Sequence, residues 1–310
     1  MSNLTVSASP HIRDRATTNR IMLDVVIALA PAFIASILIF GTRAALIVLV
    51  CVASCVISEW IFEKGIKKAS TVRDLSAVVT GILLAYNLPV GIPIWQAIFG
   101  SAVAIILVKQ LFGGIGKNFA NPAITARIVM FLAFSISMTT WTIPGTGAAD
   151  AVSGATPLVL IAKGNLESLP SLTNMLLGVR GGCLGETSVI ALVLGGLYLI
   201  ARRIITWHTP VVYIATVFAF TALLGQQPVY QVLSGGLVLG AIFMATDYVT
   251  TPQTNWGRVI FGLGAGFLTV IIRVYGSYPE GVSYSILLMN IVTPYINRLT
   301  MHKAFGGVKA

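Results

Sequence analysis

Long apolar runs broken by short polar joints dominate the chain from residue 22 onward. A helix needs about 20 such residues to cross the hydrocarbon core of a bilayer. On that measure the runs predict spans over 22–40, 44–62, 75–90, 92–111 and 122–140, then 187–202, 208–225, 229–247, 257–275 and 281–299. Pro31 and several glycines fall inside them, where neighbouring helices can satisfy the freed backbone groups. One connection is long, 141–186, rich in Gly, Ser, Thr and Pro, and a loop of that length is usually functional. The expected fold is therefore an all-α polytopic membrane protein of about ten helices. A segment 1–21 precedes a five-helix half (22–140), the 141–186 connection, a second half (187–300) and a tail (301–310).

Composition agrees. Of 310 residues 56% are hydrophobic and 10% charged, against roughly 25% charged in a soluble domain. Mean hydropathy is +0.89. Too little charge remains to clothe a soluble core, so lipid is the expected solvent. Thirty glycines suit close helix packing. No Lys/Arg run alternates with aromatics, which argues against nucleic acid despite the net charge of +10. Loop charges account for that excess. With the N-terminus in the cytoplasm, sixteen of twenty Lys and Arg, Lys109 and Arg127 among them, fall on cytoplasmic loops and tails. Arg43, Lys163, Arg180 and Arg273 remain outside. Both termini are thus expected inside, the long connection outside, and no signal peptide cleaved. Trp95, Trp141, Trp207 and Trp256 fall at predicted boundaries, as interfacial anchors do.

Five spans per half would give two homologous halves opposite orientations. Thr80-Gly-Ile-Leu-Leu-Ala-Tyr-Asn-Leu-Pro89 ends one span, and Gly240-Ala-Ile-Phe-Met-Ala-Thr-Asp247 ends its counterpart five spans later. An inverted repeat of this kind places binding sites between halves, near broken helices.

Three groups of residues carry candidate chemistry. In the long connection stands Asp150-Ala-Val-Ser153-Gly154-Ala155-Thr156-Pro157. Locally, Thr156-Pro157 reads as an N-cap with proline at the first helical position. At the entry to the fifth span lies Gly113-Gly-Ile-Gly-Lys-Asn118-Phe-Ala-Asn121-Pro122-Ala123. It lacks the strand and third glycine of a dinucleotide fingerprint. Asn121 reads as a helix cap, and both amides could hydrogen-bond a polar ring edge. The third group is acidic. Asp24 and Glu59 read as boundary carboxylates, solvated or paired with a nearby arginine. Asp247, among Thr246, Thr250 and Thr251, is a candidate on an ion path, as is Glu186 at the outer boundary. Cys51 and Cys55 read as packing residues, and the three scattered histidines give no haem or metal pair.

The first string resembles the flavinylation motif of bacterial ion-pumping redox complexes, and Asn-Phe-Ala-Asn-Pro-Ala resembles a riboflavin-contacting segment of the same family. That family unites the B subunit of the sodium-pumping NADH:quinone reductase with the D subunit of the Rnf ferredoxin:NAD⁺ oxidoreductase. The resemblance covers essentially the whole chain, through Arg73-Asp74, Gly81, Gly185-Glu186, Ala245-Thr246-Asp247 and Tyr278-Pro279-Glu280-Gly281, and the short N-terminus matches the Rnf form. It implies an FMN joined through its phosphate to Thr156 by a flavin transferase, within a segment that includes Asp150, Ser153, Gly154 and Ala155. It further implies a non-covalent riboflavin or similar flavin near Asn118 and Asn121, and redox-driven Na⁺ or H⁺ movement by a complex of several membrane and peripheral subunits. On the residues alone a ten-helix secondary transporter or channel stays open, as does the quinone-reductase subunit.

Overall fold

The computed structural model describes residues 17–67, 70–142, 154–186, 188–276 and 280–301. Among these the fold is all helix. The first half comprises α1 (Thr18–Phe40), α2 (Thr42–Gly65), α3 (Ser76–Tyr86), α4 (Ile94–Ala102, continuing as a π-helix Val103–Gln110), α5 (Pro122–Ala133) and α6 (Ser135–Thr139). The connection carries α7 (Pro157–Ala162) and α8 (Leu172–Leu177). The second half comprises α9 (Val189–Ala201), α10 (His208–Leu223), α11 (Pro228–Leu233), α12 (Leu237–Leu239, continuing as a π-helix Gly240–Met244), α13 (Asn255–Tyr275) and α14 (Val282–Thr300).

Caps define many starts. Thr17, Ser188 and Thr254 accept the backbone N–H of Arg20, Ala191 and Gly257, opening α1, α9 and α13. Among the described residues, α1, α2 and α13 are long and apolar enough to cross a membrane. Leu38, Leu223 and Leu299 are each at least 80% exposed, as side chains bathed in hydrocarbon would be.

The other predicted spans are shorter: 122–140 parts at Phe134 into α5 and α6, and two more are interrupted. The 75–90 span is eleven residues of helix, α3, followed by an irregular stretch around Pro89. The 229–247 span breaks at Ser234–Gly236, where Gly235 and Gly236 both take φ +66°. That left-handed backbone costs glycine little, and it divides α11 from α12. Both breaks are repaired internally. Gly185 and Leu184 donate their N–H groups to Tyr86 O (2.9 Å) and Leu88 O (3.0 Å). Arg273 on α13 donates to the carbonyls of Gln231 (2.5 Å) and Ser234 (2.9 Å). The long connection thus dips to the end of α3.

Helix α1 packs along α9, α5 against α14, α2 against α3 and α4, and α10 against α13. Small residues permit the closest approaches. A Cβ at Gly195 on α9 would stand 2.1 Å from Ala28 O on α1. Substituting Gly195 with leucine should therefore force α1 and α9 apart, a larger disturbance than the about 1–3 kcal/mol typical of an overpacked core. Loss of the monodisperse peak in detergent, with wild-type mobility retained at exposed Leu223→Ala, checks it.

Candidate functional site

Two candidate regions meet α3 toward its opposite ends. The first is a cavity of about 380 Å³ bounded by α1, α3, α9, the start of α5 and the turn after α12. That volume is in the range of small-molecule sites. Asn118, Asn121 and Asp247 all line it, together with Ser76, Lys109 and Phe243. The sequence candidates around 118–121 and at 247, far apart in the chain, therefore meet at one place between the halves.

Their side chains are committed to different degrees. Asn121 Oδ1 caps α5, accepting from Ala123 N (3.0 Å) and Ile124 N (3.3 Å), so its amide nitrogen is the group left for a ligand. Asn118 Oδ1 is buried without a hydrogen-bond partner. Asp247 is held by the N–H of Val249 (3.5 Å) and the hydroxyl of Thr250 (3.2 Å). The hydroxyls of Thr246 and Thr251 instead bond backbone carbonyls, so the expected oxygen shell around Asp247 is only partly formed. Among the described residues no three His, Cys, Asp or Glu side chains cluster to hold a metal.

Beside the cavity sits an ionic network that the sequence reading missed. Lys109, counted there as a loop charge, is 2% exposed and donates to Glu59 Oε1 (2.7 Å) and Ser76 Oγ (2.6 Å). Glu59, read as a boundary carboxylate solvated or paired with arginine, is fully buried and paired with lysine. Glu63 joins it one turn along α2 through the shared donors Thr71 Oγ1 and Gln110 Nε2. The legible signal was the i, i+4 spacing of two acids on an apolar helix, which puts both on one face. Asp24 conforms to expectation, bonded by Tyr198 (2.8 Å) and Arg202 (3.1 Å).

The second region surrounds the connection. Thr156 is buried and caps α7, accepting from Val159 N at 3.4 Å. Gly154 N donates to the carbonyl of Trp141 (3.0 Å), and Trp141 itself is buried, unlike the exposed Trp95, Trp207 and Trp256. Ala155 is exposed; Asp150 and Ser153 lie outside the described residues. Arg180 donates to Glu186 O (2.9 Å) and Ser234 Oγ (3.2 Å), with Glu186 Oε1 3.9 Å away. Glu186 accordingly belongs to a buried ion pair, 7% exposed. Arg127, also counted as a loop charge, is 5% exposed; it pairs with Glu280 and donates to Asn87 Oδ1 (2.9 Å) and Ser283 Oγ (3.2 Å). Cys183 completes the cluster. Burial pushes its thiol well above the ordinary value, so it stays protonated and donates to Asn87 O (3.3 Å).

Broken helices, a largely apolar cavity with a few polar groups between the halves, and buried ion pairs define a helical membrane protein. The chain belongs to the NQR2, RnfD, RnfE family, whose model matches residues 5–306. It is 49% identical over 310 residues to the D subunit of the Na⁺-translocating ferredoxin:NAD⁺ oxidoreductase complex of Acetobacterium woodii, covering 99% of this chain and 96% of that one. It is 44% identical to the D subunit of the proton-translocating ferredoxin:NAD⁺ oxidoreductase complex of Clostridium ljungdahlii, with 97% and 96% coverage. The D subunit of an ion-translocating oxidoreductase complex from Stutzerimonas stutzeri is 38% identical, with 94% and 93% coverage.

Removing one partner of a buried ion pair leaves the other uncompensated, at a cost of about 3–5 kcal/mol. Arg127→Gln should lower thermal stability by that amount, and adding Glu280→Gln should recover most of it. Unfolding curves of the two single variants and the double variant in detergent check the coupling.

Proposed function

We propose that the chain is the flavin-carrying electron-transfer subunit of a membrane-bound, ion-translocating ferredoxin:NAD⁺ oxidoreductase. The observation that carries this reading is the near full-length match to D subunits of such complexes. The subunit works within an assembly of other membrane and peripheral subunits and is not catalytic alone. Its relatives include both Na⁺- and proton-translocating complexes, so the coupling ion is Na⁺ or H⁺. The proposed setting is a bacterial cytoplasmic membrane, with both termini inside and the 141–186 connection outside.

In this reading FMN is joined through its phosphate to the Thr156 hydroxyl by a flavin transferase. The residues suit that role: Thr156 Oγ1 accepts one hydrogen bond as a cap and keeps its proton, and the glycine and alanine before it leave room for a modifying enzyme. A second, non-covalent flavin such as riboflavin occupies the cavity. The partnerless Asn118 Oδ1 is suited to accept from a ring N–H, and the Asn121 amide nitrogen to donate to a ring oxygen. When bound, these groups would supply one- and two-electron chemistry; the chain holds them in position and excludes water. Asp247, which lines the cavity, and Glu186, paired with Arg180, are the candidates for an ion path.

An inverted repeat of ten spans also belongs to the proposal. It is supported by the order of packing: first helix against first (α1 on α9), fifth against fifth (α5 on α14), and second against fourth within each half (α2 on α4, α10 on α13). A two-fold relation between halves of opposite orientation would produce this pattern.

Co-expression with the transferase should give a denatured band with flavin fluorescence, and Thr156→Ala should abolish it. Asn118→Leu should keep that band and release less free flavin on denaturation. A dark wild-type band beside a fluorescent known acceptor would sink the redox reading and favour a transporter.

A further inference from the structure

The connection closes over a buried cluster whose charges, among the described residues, do not cancel. Arg127, Arg180 and Arg273 are 5%, 3% and 6% exposed. The carboxylates that face them among the described residues are Glu186 and Glu280. Arginine keeps its proton in proteins, so the described cluster carries at least one more positive charge than negative. Nε of Arg180 and Nε of Arg273 are buried with no hydrogen-bond partner. A buried excess of charge is strongly unfavourable unless something compensates it.

Two glycines beside these arginines lie against residues that flank Thr156. Arg180 precedes Gly181, where a Cβ would lie 3.4 Å from Trp141 Cβ and 3.8 Å from Gly154 O. Arg273 packs at Gly235, where a Cβ would lie 2.6 Å from its Nη2 and 2.4 Å from Leu158 Cδ1. Gly154 and Leu158 each stand two residues from Thr156, one before it and one after.

We propose that Arg180 and Arg273 are positioning residues for an anionic phosphodiester on Thr156, and that this group supplies the negative charge that the cluster lacks among the described residues. The inference rests on the flavin reading of Thr156. In the modification a bond forms between Thr156 Oγ1 and the flavin-side phosphorus of a flavin dinucleotide. The pyrophosphate bond breaks, a nucleoside monophosphate leaves, and the hydroxyl proton passes to solvent. A neutral hydroxyl thereby becomes a permanent monoanion in the segment that packs on this cluster, where Nε of Arg180 and Nε of Arg273 are the donors left for charge-assisted hydrogen bonds to phosphate oxygens. Attachment then stabilises the fold as well as tethering a cofactor.

The test compares thermal unfolding of the full chain in detergent, purified with and without the transferase, with in-gel flavin fluorescence scoring occupancy. The modified wild type should unfold about 3 °C or more above the unmodified chain. Arg180→Gln and Arg273→Gln, still fluorescent, should lose that difference, and Arg273→Lys should keep most of it. Where a Gln variant does not accumulate, Glu186→Gln raises the positive excess and should widen the gap. A fluorescent wild type that unfolds with the unmodified chain overturns the inference. So does a gap that survives in both arginine variants, or one that Glu186→Gln leaves unchanged. A dark wild-type band overturns the flavin reading itself, and this inference with it.

Discussion

A helix that stops inside a bilayer leaves carbonyls that lipid cannot satisfy, and this constraint organises the molecule. Helix α3 ends at Tyr86, and the 228–244 segment breaks at Gly235 and Gly236. Neither end is left bare: the backbone of Leu184 and Gly185 serves the first, and the guanidinium of Arg273 the second. The connection between the halves is consequently part of the core. Thr156 itself is anchored locally, by the Gly154 N–H on Trp141 O and by its cap on Val159 N.

Charge follows the same logic. Isolated ions inside a membrane protein are expensive, which favours pairing. Lys109 meets Glu59 across 50 positions of sequence, and Arg127 meets Glu280 across 153. Such pairs add little net stability, because desolvation consumes most of the Coulomb gain. Breaking them is costly, so they act as constraints on assembly: α4 must seat on α2, and α5 beside the start of α14, before either pair can form.

Much of this was legible in one dimension. Apolar runs marked the helices, and Thr156 and Asn121 were readable as caps because threonine or asparagine before proline leaves few other local solutions. Helix interruption was less legible, since 229–247 is apolar enough to read as one span until Gly235 and Gly236 are seen to take positive φ. The buried cations misled for a physical reason. Counting charges by loop assumes that Lys and Arg near a predicted end face water, yet Lys109 and Arg127 point into polar networks. No local pattern announces a partner 50 or 153 positions away. The convergence of Asn118, Asn121 and Asp247 on one cavity was equally non-local, and the suspected repeat between halves was its only hint.

Asn87 connects the two polar regions. Its Oδ1 accepts from Arg127, and its backbone carbonyl accepts from Cys183, both in the charged cluster. Its Nδ2 donates to Leu83 O (2.6 Å), on a residue that lines the cavity, and lies 3.7 Å from Met244 Sδ in the second half. The two regions are thus separated by a wall in which an asparagine at the end of a broken helix joins both halves. A broken helix end is held by a few side-chain and backbone bonds in place of a continuous ladder, so it can shift with less disruption than a helix interior. Asn87 thus ties the end of α3 to Arg127 and to Met244 of the second half.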